Sequence, residues 1–280
     1  MKVSHRQRSD LTLNPKFVTE LLTGFIEEET RRAGMKRVVV GLSGGVDSAL
    51  AAVLARRALG KDGVIAVLMP YRLSHPSSQK DALGLARRLG IRAEPFDITP
   101  MVDAWFVSDP GASRLRRGNK MARERMSILY DRSVVHKALV LGTSNKTELL
   151  IGYGTIHGDM ASSINPIGDL YKTQVWQIAA HVKVPAAILR KTPTADLWPD
   201  QTDEGEIGFS YDDLDQLLYL LVDERYTRRS MLEAGWPPAT VDRVTRLIAR
   251  SQYKRRLPLI AKLSGRTVGV DFRYPRDWGT

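Results

Sequence analysis

The stretch Val38-Val39-Val40-Gly41-Leu42-Ser43-Gly44-Gly45-Val46-Asp47-Ser48-Ala49 constrains the fold of this chain more than any other. Its β-branched run is continuous rather than alternating, as in a strand buried on both faces. It breaks at once into Ser-Gly-Gly, then into Asp-Ser and the good helix formers Ala49 to Ala55. A strand, a glycine turn and a helix start in that order make an anion site, because unpaired N–H groups and the helix dipole face the turn. Glycine lets backbone approach a phosphate closely. No Lys follows the glycines, so the loop differs from the one that grips the terminal phosphates of ATP through a lysine.

Strands alternate with helices for the next hundred residues. Asn14-Pro15 caps a helix whose Phe17, Val18, Leu21, Leu22, Phe25 and Ile26 recur at helical spacing up to Gly34. Strands are expected over 37–42, 64–69, 91–96 and 138–143, with a helix between each pair and a long one starting at Asn119. That pattern predicts an α/β fold, a doubly wound parallel sheet flanked by helices. Ligands then sit at the carboxyl ends of the strands, at the loops 43–48, 70–78 and 143–148.

Beyond Pro166 the pattern turns helical, with helices expected over 172–182, 185–190, 211–224 and 238–252. The stretch 192–209 reads as one long loop, and loops of that length are usually functional or disordered. The 211–224 helix is apolar nearly all round, so burial is expected, with a subunit interface as one place for it. The tail from Leu257 to Trp278 reads as irregular. We expect one domain over 1–280: a sheet core over about 14–185, then a lid loop and a helical C-terminal region over about 186–280.

Composition excludes several classes. The chain has 280 residues and no cysteine, so disulfides, Cys-ligated zinc and thiol catalysis are ruled out. The basic N-terminus has no apolar stretch behind it, and the longest apolar run, Leu217 to Val222, is far too short for a bilayer. A cytoplasmic protein without a membrane partner is the expectation. The formal net charge of +11 points to anionic partners. Its densest groups, Arg114, Arg116 and Arg117, then Lys254, Arg255 and Arg256, read equally well as solvated faces. The five histidines show no metal-ligand spacing.

The Ser-Gly-Gly-Val-Asp-Ser loop resembles the pyrophosphate loop of the N-type ATP pyrophosphatases, which cut ATP between its α- and β-phosphates. Four further blocks follow in order: Gly142-Thr143-Ser144-Asn145-Lys146-Thr147-Glu148, Gly152-Tyr153-Gly154-Thr155-Ile156-His157-Gly158-Asp159, Asn165 to Thr173, and Pro193-Thr194-Ala195-Asp196-Leu197. Together they resemble the bacterial and archaeal NAD synthetases from about residue 14 to residue 262. The resemblance implies a Rossmann-like sheet of the ATP pyrophosphatase type. It places Mg²⁺ on Asp47 and Glu148, and gives Asp47 and Lys172 catalytic roles. It places ATP on Gly41, Leu42, Ser43, Gly44, Gly45, Val46, Asp47, Ser48, Thr143, Lys172 and Thr194. It brings Arg123, Asp159, Tyr253 and Lys254 to the dinucleotide substrate. Some relatives also use a Lys where this chain has Ile156 and an Asp near Ser163, so those two contacts are not carried over.

The chemistry of the match can be read independently. Cleavage at the α-phosphorus expels pyrophosphate, whose charge must be gripped and neutralised. Two carboxylates at the ends of two parallel strands can hold Mg²⁺, which prefers hard oxygen ligands; each could also serve only as a helix-start charge. The resemblance implies that deamido-NAD is adenylated by ATP, that ammonia displaces AMP to give NAD, and that the protein is a homodimer. Without cysteine or a glutaminase domain, the chain should use free ammonia, or ammonia made by a separate protein. Two other readings stay open. One is a different pyrophosphatase-loop enzyme, such as a tRNA-modifying ligase, and the other is a non-enzymatic nucleotide- or RNA-binding protein. The absence of an appended RNA-binding module favours no nucleic-acid partner.

Overall fold

The computed structural model describes residues 6–256 and 258–272. Four parallel strands, β1 (Arg37–Gly41), β2 (Val64–Leu68), β3 (Arg92–Pro95) and β4 (Ala138–Leu141), form one sheet in the order β3-β2-β1-β4. Val39 of β1 stands opposite Ile65 of β2 and Val140 of β4. All three central valines of β1 are fully buried, as a continuous β-branched run requires. β3 lies at an edge, where Pro95 removes no ladder hydrogen bond that the sheet needs.

Helices cover both faces. On one, Val38 and Val40 pack with Ile26 of α1 (Pro15–Arg32), Leu50 and Leu54 of α2 (Val46–Leu59) and Leu85 of α3 (Pro76–Leu89). Burying each such side chain is worth about 1.5–3 kcal/mol. On the other face, Val39, Ile65, Val67 and Val140 meet Met126 and Leu129 of the long helix that precedes β4. Before that helix comes α4 (Thr99–Trp105).

The long helix is α5 (Arg114–His136), and it corrects the expected start at Asn119. Ser113 caps it, its Oγ accepting the Arg116 N–H at 3.4 Å. Gly118 argues against helix in sequence, but it sits inside α5 because a Cβ there would lie 2.9 Å from Leu197 Cδ1. Arg116 and Arg117 lie over the Phe106 ring, and they also bond Asp109 and the Pro110 carbonyl. They staple the α4–α5 turn.

After β4 come α6 (Lys146–Ile151), α7 (Lys172–His181), α8 (Ala186–Leu189), α9 (Asp203–Ile207), α10 (Tyr211–Leu218), α11 (Arg228–Glu233) and α12 (Pro238–Ser251). α9 interrupts the expected 192–209 loop, nucleated by Thr202, whose Oγ1 accepts the Gly205 N–H. α10 runs on as a π turn to Asp223. Its Leu214, Leu217 and Leu218 are buried within the chain against Trp236, Val241 and Val244. α11, α12 and the turn between them cover that side of α10, while Leu221 and Val222 farther along stay only partly buried. The start of the chain, Met1–His5, lies outside the described residues, as do Leu257 and the end of the tail from Arg273. The described part of the tail is irregular apart from one bridge between Val268 and Phe272.

Candidate active site

The chain steps from β1 through β2 to β3 in one direction, then places β4 on the far side of β1. Crevices for ligands open where strand order reverses in this way. Here the turns after β1 and β4 flank a cleft of about 630 Å³.

The turn after β1 is held by its own hydroxyls. Ser43 and Ser48 Oγ atoms lie 3.0 Å apart, the Ser43 N–H donates to Ser48 Oγ, and the Gly45 N–H donates to Ser43 Oγ. No side chain caps the amino end of α2. Its first N–H groups therefore face the cleft with the helix dipole behind them. Gly41, Leu42, Ser43, Gly45, Val46, Asp47 and Ser48 line the cleft, as do Thr143 and Thr194. Gly44 does not line it. Its φ is +82°, and a Cβ would fall 2.3 Å from the Ser78 carbonyl oxygen, so the turn admits no side chain there.

Asp47 and Glu148 occupy the first turns of α2 and α6, at the ends of the adjacent strands β1 and β4. Asn145 ties them. Its Nδ2 donates to Asp47 Oδ1 at 2.9 Å, and its Oδ1 accepts the Glu148 N–H at 3.0 Å. Glu148 Oε2 accepts the Asn145 N–H in return, closing a capping box. Lys172, the first residue of α7, enters from the opposite side and is 2% exposed. Its Nζ lies 2.5 Å from Asp47 Oδ2 and 3.6 Å from Glu148 Oε1, and 5.2 Å from the Tyr211 ring centre.

One ammonium does not balance this cluster. Burial, then the Asp47 charge, push the Glu148 carboxyl up to about 8 despite Lys172. Burial also raises the Asp203 carboxyl, which accepts hydrogen bonds from the Tyr153 and Tyr211 hydroxyls. Two hard oxygen donors held this close fit a divalent cation, which would favour both as carboxylates. Among the described residues no three acidic or histidine side chains gather to hold a metal on their own. Phosphate oxygens and water would have to complete the coordination, as Mg²⁺ commonly arranges.

The residues expected at the dinucleotide also line the cleft: Arg123, Asp159, Tyr253 and Lys254. Arg123 is exposed, with Nε on the Ile156 carbonyl at 3.2 Å. Asp159 reaches solvent through the cleft, yet the walls around it raise its carboxyl while the Thr155 N–H bonds Oδ1. Lys254 Nζ donates to the carbonyls of Gly152 and Gly154, and Tyr253 is 61% exposed beside it. Arg255 instead binds the carbonyls of Leu149, Leu150 and Ile248, where it caps helix ends.

Sequence reasoning missed three cleft residues. Arg125 lies at the cleft with Nε on the Met69 carbonyl and its charge facing Asp159 and Asp196. Its place in the Arg123-Glu124-Arg125 run was visible, but which arginine lies deeper depends on how α5 rotates against β1. Tyr153 and Asp203 come together only through the packing of α9 on the 152–154 turn, and nothing local signals it. Above the cleft the two loops meet: the His75 N–H donates to the Asp196 carboxylate at 2.9 Å, and Lys191 Nζ bonds Ser78 Oγ at 3.0 Å.

The sequence model of the NAD synthase family matches residues 18–258. The chain is 55% identical over 269 residues to the NH(3)-dependent NAD(+) synthetase of Chlorobaculum parvum, covering 96% of this chain and 97% of that protein. Among solved structures it resembles the NH3-dependent NAD synthetase from Campylobacter jejuni, with 34% identity and a TM-score of 0.78 over 90% of this chain and all of that one. It also resembles an NMN synthetase from Francisella tularensis, with 32% identity and a TM-score of 0.79 over the same shares.

Proposed function

This chain belongs to the NAD synthase family, and from that premise we propose that it makes NAD from deamido-NAD, ATP and ammonia. The observation that carries this reading is the meeting of Lys172, Asp47 and Glu148 beside the Ser43–Ser48 turn, where a triphosphate must be gripped and cut.

In the first step the nicotinate carboxylate of deamido-NAD attacks the α-phosphorus of ATP. The bond to the bridging oxygen breaks, pyrophosphate leaves, and a mixed anhydride with AMP forms. The N–H groups of the turn and the Ser43 and Ser48 hydroxyls hold the departing phosphates, and the Lys172 ammonium follows the charge that develops on them. Asp47 fixes that ammonium. Asp47 and Glu148 would hold Mg²⁺, which when bound neutralises phosphate charge. Thr143 and Thr194 contact ATP. In the second step ammonia attacks the activated carbonyl, a proton leaves the nitrogen, and AMP departs. No protein nucleophile takes part; positioning and charge stabilisation carry the reaction.

Arg123, Asp159, Tyr253 and Lys254 bind the dinucleotide. The joined 70–78 and 192–202 loops act as a lid that keeps water from the anhydride. The active form is a cytoplasmic homodimer of single-domain chains. Among the described residues no helix is long and apolar enough to cross a membrane.

The test incubates the protein with deamido-NAD, ATP, Mg²⁺ and ammonium, and follows NAD and AMP by chromatography. Equal amounts of both are expected. Turnover only with glutamine or with RNA would overturn the reading. Formation of NMN rather than NAD would move the reading to the activity named for the Francisella relative.

A further inference from the structure

One buried carboxylate has no part in the reaction just described. Asp215 of α10 is fully buried, on the helix whose Leu214, Leu217 and Leu218 form a second core with Trp236, Val241 and Val244. Its Oδ1 accepts the Thr147 hydroxyl at 2.5 Å, and its Oδ2 accepts the Thr173 N–H at 2.8 Å. The Thr147 oxygen in turn accepts the Lys172 N–H at 3.0 Å. Thr147 directly precedes Glu148, and Thr173 directly follows Lys172. A single side chain thus joins the first turn of α6 to the first turn of α7, and these turns carry Glu148 and Lys172.

The chemistry of the junction selects a carboxylate. Both partners on Asp215 donate, so both of its oxygens must accept. An amide of the same shape offers one acceptor and turns a donor toward the other group. Burying a charge is expensive unless it is fully hydrogen-bonded. An apolar side chain here would leave the Thr147 hydroxyl and the Thr173 N–H without this acceptor.

We propose that Asp215, acting through Thr147, is the positioning residue that sets the distance between Lys172 and Glu148. It touches no substrate, and its role rests on the ATP-cleaving reading above.

The experiment compares Asp215→Asn, Thr147→Val, the double variant and Thr147→Ser with the unaltered chain. Steady-state rates are measured, and amide hydrogen exchange is followed by mass spectrometry. Asp215→Asn and Thr147→Val are each expected to lower kcat at least tenfold, with KM for deamido-NAD within twofold. The double variant should be no slower than the worse single one, since both break one junction. Thr147→Ser keeps the hydroxyl and should stay within threefold of the unaltered enzyme. Exchange should quicken at residues 146–149 and 172–175 and nowhere else in the second core.

If Asp215→Asn does not fold, Thr147→Val against Thr147→Ser carries the same comparison. A folded Asp215→Asn variant with kcat within twofold would overturn the proposal. So would a Thr147→Ser variant as slow as Thr147→Val, or exchange that quickens across the whole second core. If the unaltered chain makes no NAD, the functional reading falls, and the exchange pattern still decides the role of Asp215.

Discussion

Replacing Lys172 by Met removes the cation on which Asp47 and Glu148 converge, while keeping most of the side chain's length against Trp176 and Tyr211. The ammonium is 2% exposed and both carboxylates are 18% exposed, so water cannot replace it fully. Removing one partner of a buried pair costs about 3–5 kcal/mol. The loss depends on pH in a definite direction. Glu148 in the folded chain already holds its proton up to about pH 8, far above the usual carboxylate range. Lys172 is the charge that pulls that value down, so Lys172→Met raises it further. A carboxyl raised in the folded state contributes stability at low pH that is lost as pH climbs through the folded value. In the unaltered chain this loss accumulates upward from the ordinary carboxylate range and is nearly complete by pH 8. In the variant it continues beyond, so the deficit between the two should widen from pH 7 to pH 9 by on the order of 1 kcal/mol. Guanidinium unfolding at pH 6, 7, 8 and 9 measures it. The same variant should lose on the order of 10²–10³ in kcat, the usual effect of removing one donor aimed at developing charge. A deficit that is the same at every pH would refute the electrostatic reasoning, and a kcat within tenfold would refute the role of the ammonium.

Two further outcomes follow from the same geometry. Glu148→Gln should flatten the fall in thermal stability between pH 5 and pH 8 seen by calorimetry without substrates, because the raised carboxyl is gone, and should lower kcat by orders of magnitude without unfolding the chain. Gly44→Ala forces a Cβ to within 2.3 Å of the Ser78 carbonyl at a φ of +82°, so it should destabilise the chain by more than the roughly 1–2 kcal/mol of the left-handed conformation alone and weaken ATP binding in calorimetry.

What was legible in the sequence is what local chemistry decides. The valines of β1, the glycine turn and the alanine-rich start of α2 agree in pattern, propensity and turn chemistry, and they appear at the expected residues. Asp47 and Glu148 were readable as carboxylates at the ends of two parallel strands, whereas Lys172 was singled out only by the resemblance of the block around it. The start of α5 was missed because Gly118 looks like a breaker until Leu197, from far along the chain, is packed on it. α6 and α9 escaped because helices of six and five residues carry too little periodicity to register. Asn145 and Glu148 at capping-box spacing were in plain view, but chemistry had claimed them. Asp203 and Asp215 were illegible for a deeper reason: their partners lie on other elements, and no spacing in the chain encodes them.

The capping box at the start of α6 has a consequence for which residues can stand at 148. Glu148 divides its carboxylate, one oxygen closing the helix on Asn145 while the other faces Lys172. An aspartate carries the same charge on a stem one carbon shorter. It can reach back to the helix or forward to the cleft, but it cannot span both. Charge alone therefore does not fill this position; reach is an equal requirement, and the exchange of one acid for the other is no conservative change here.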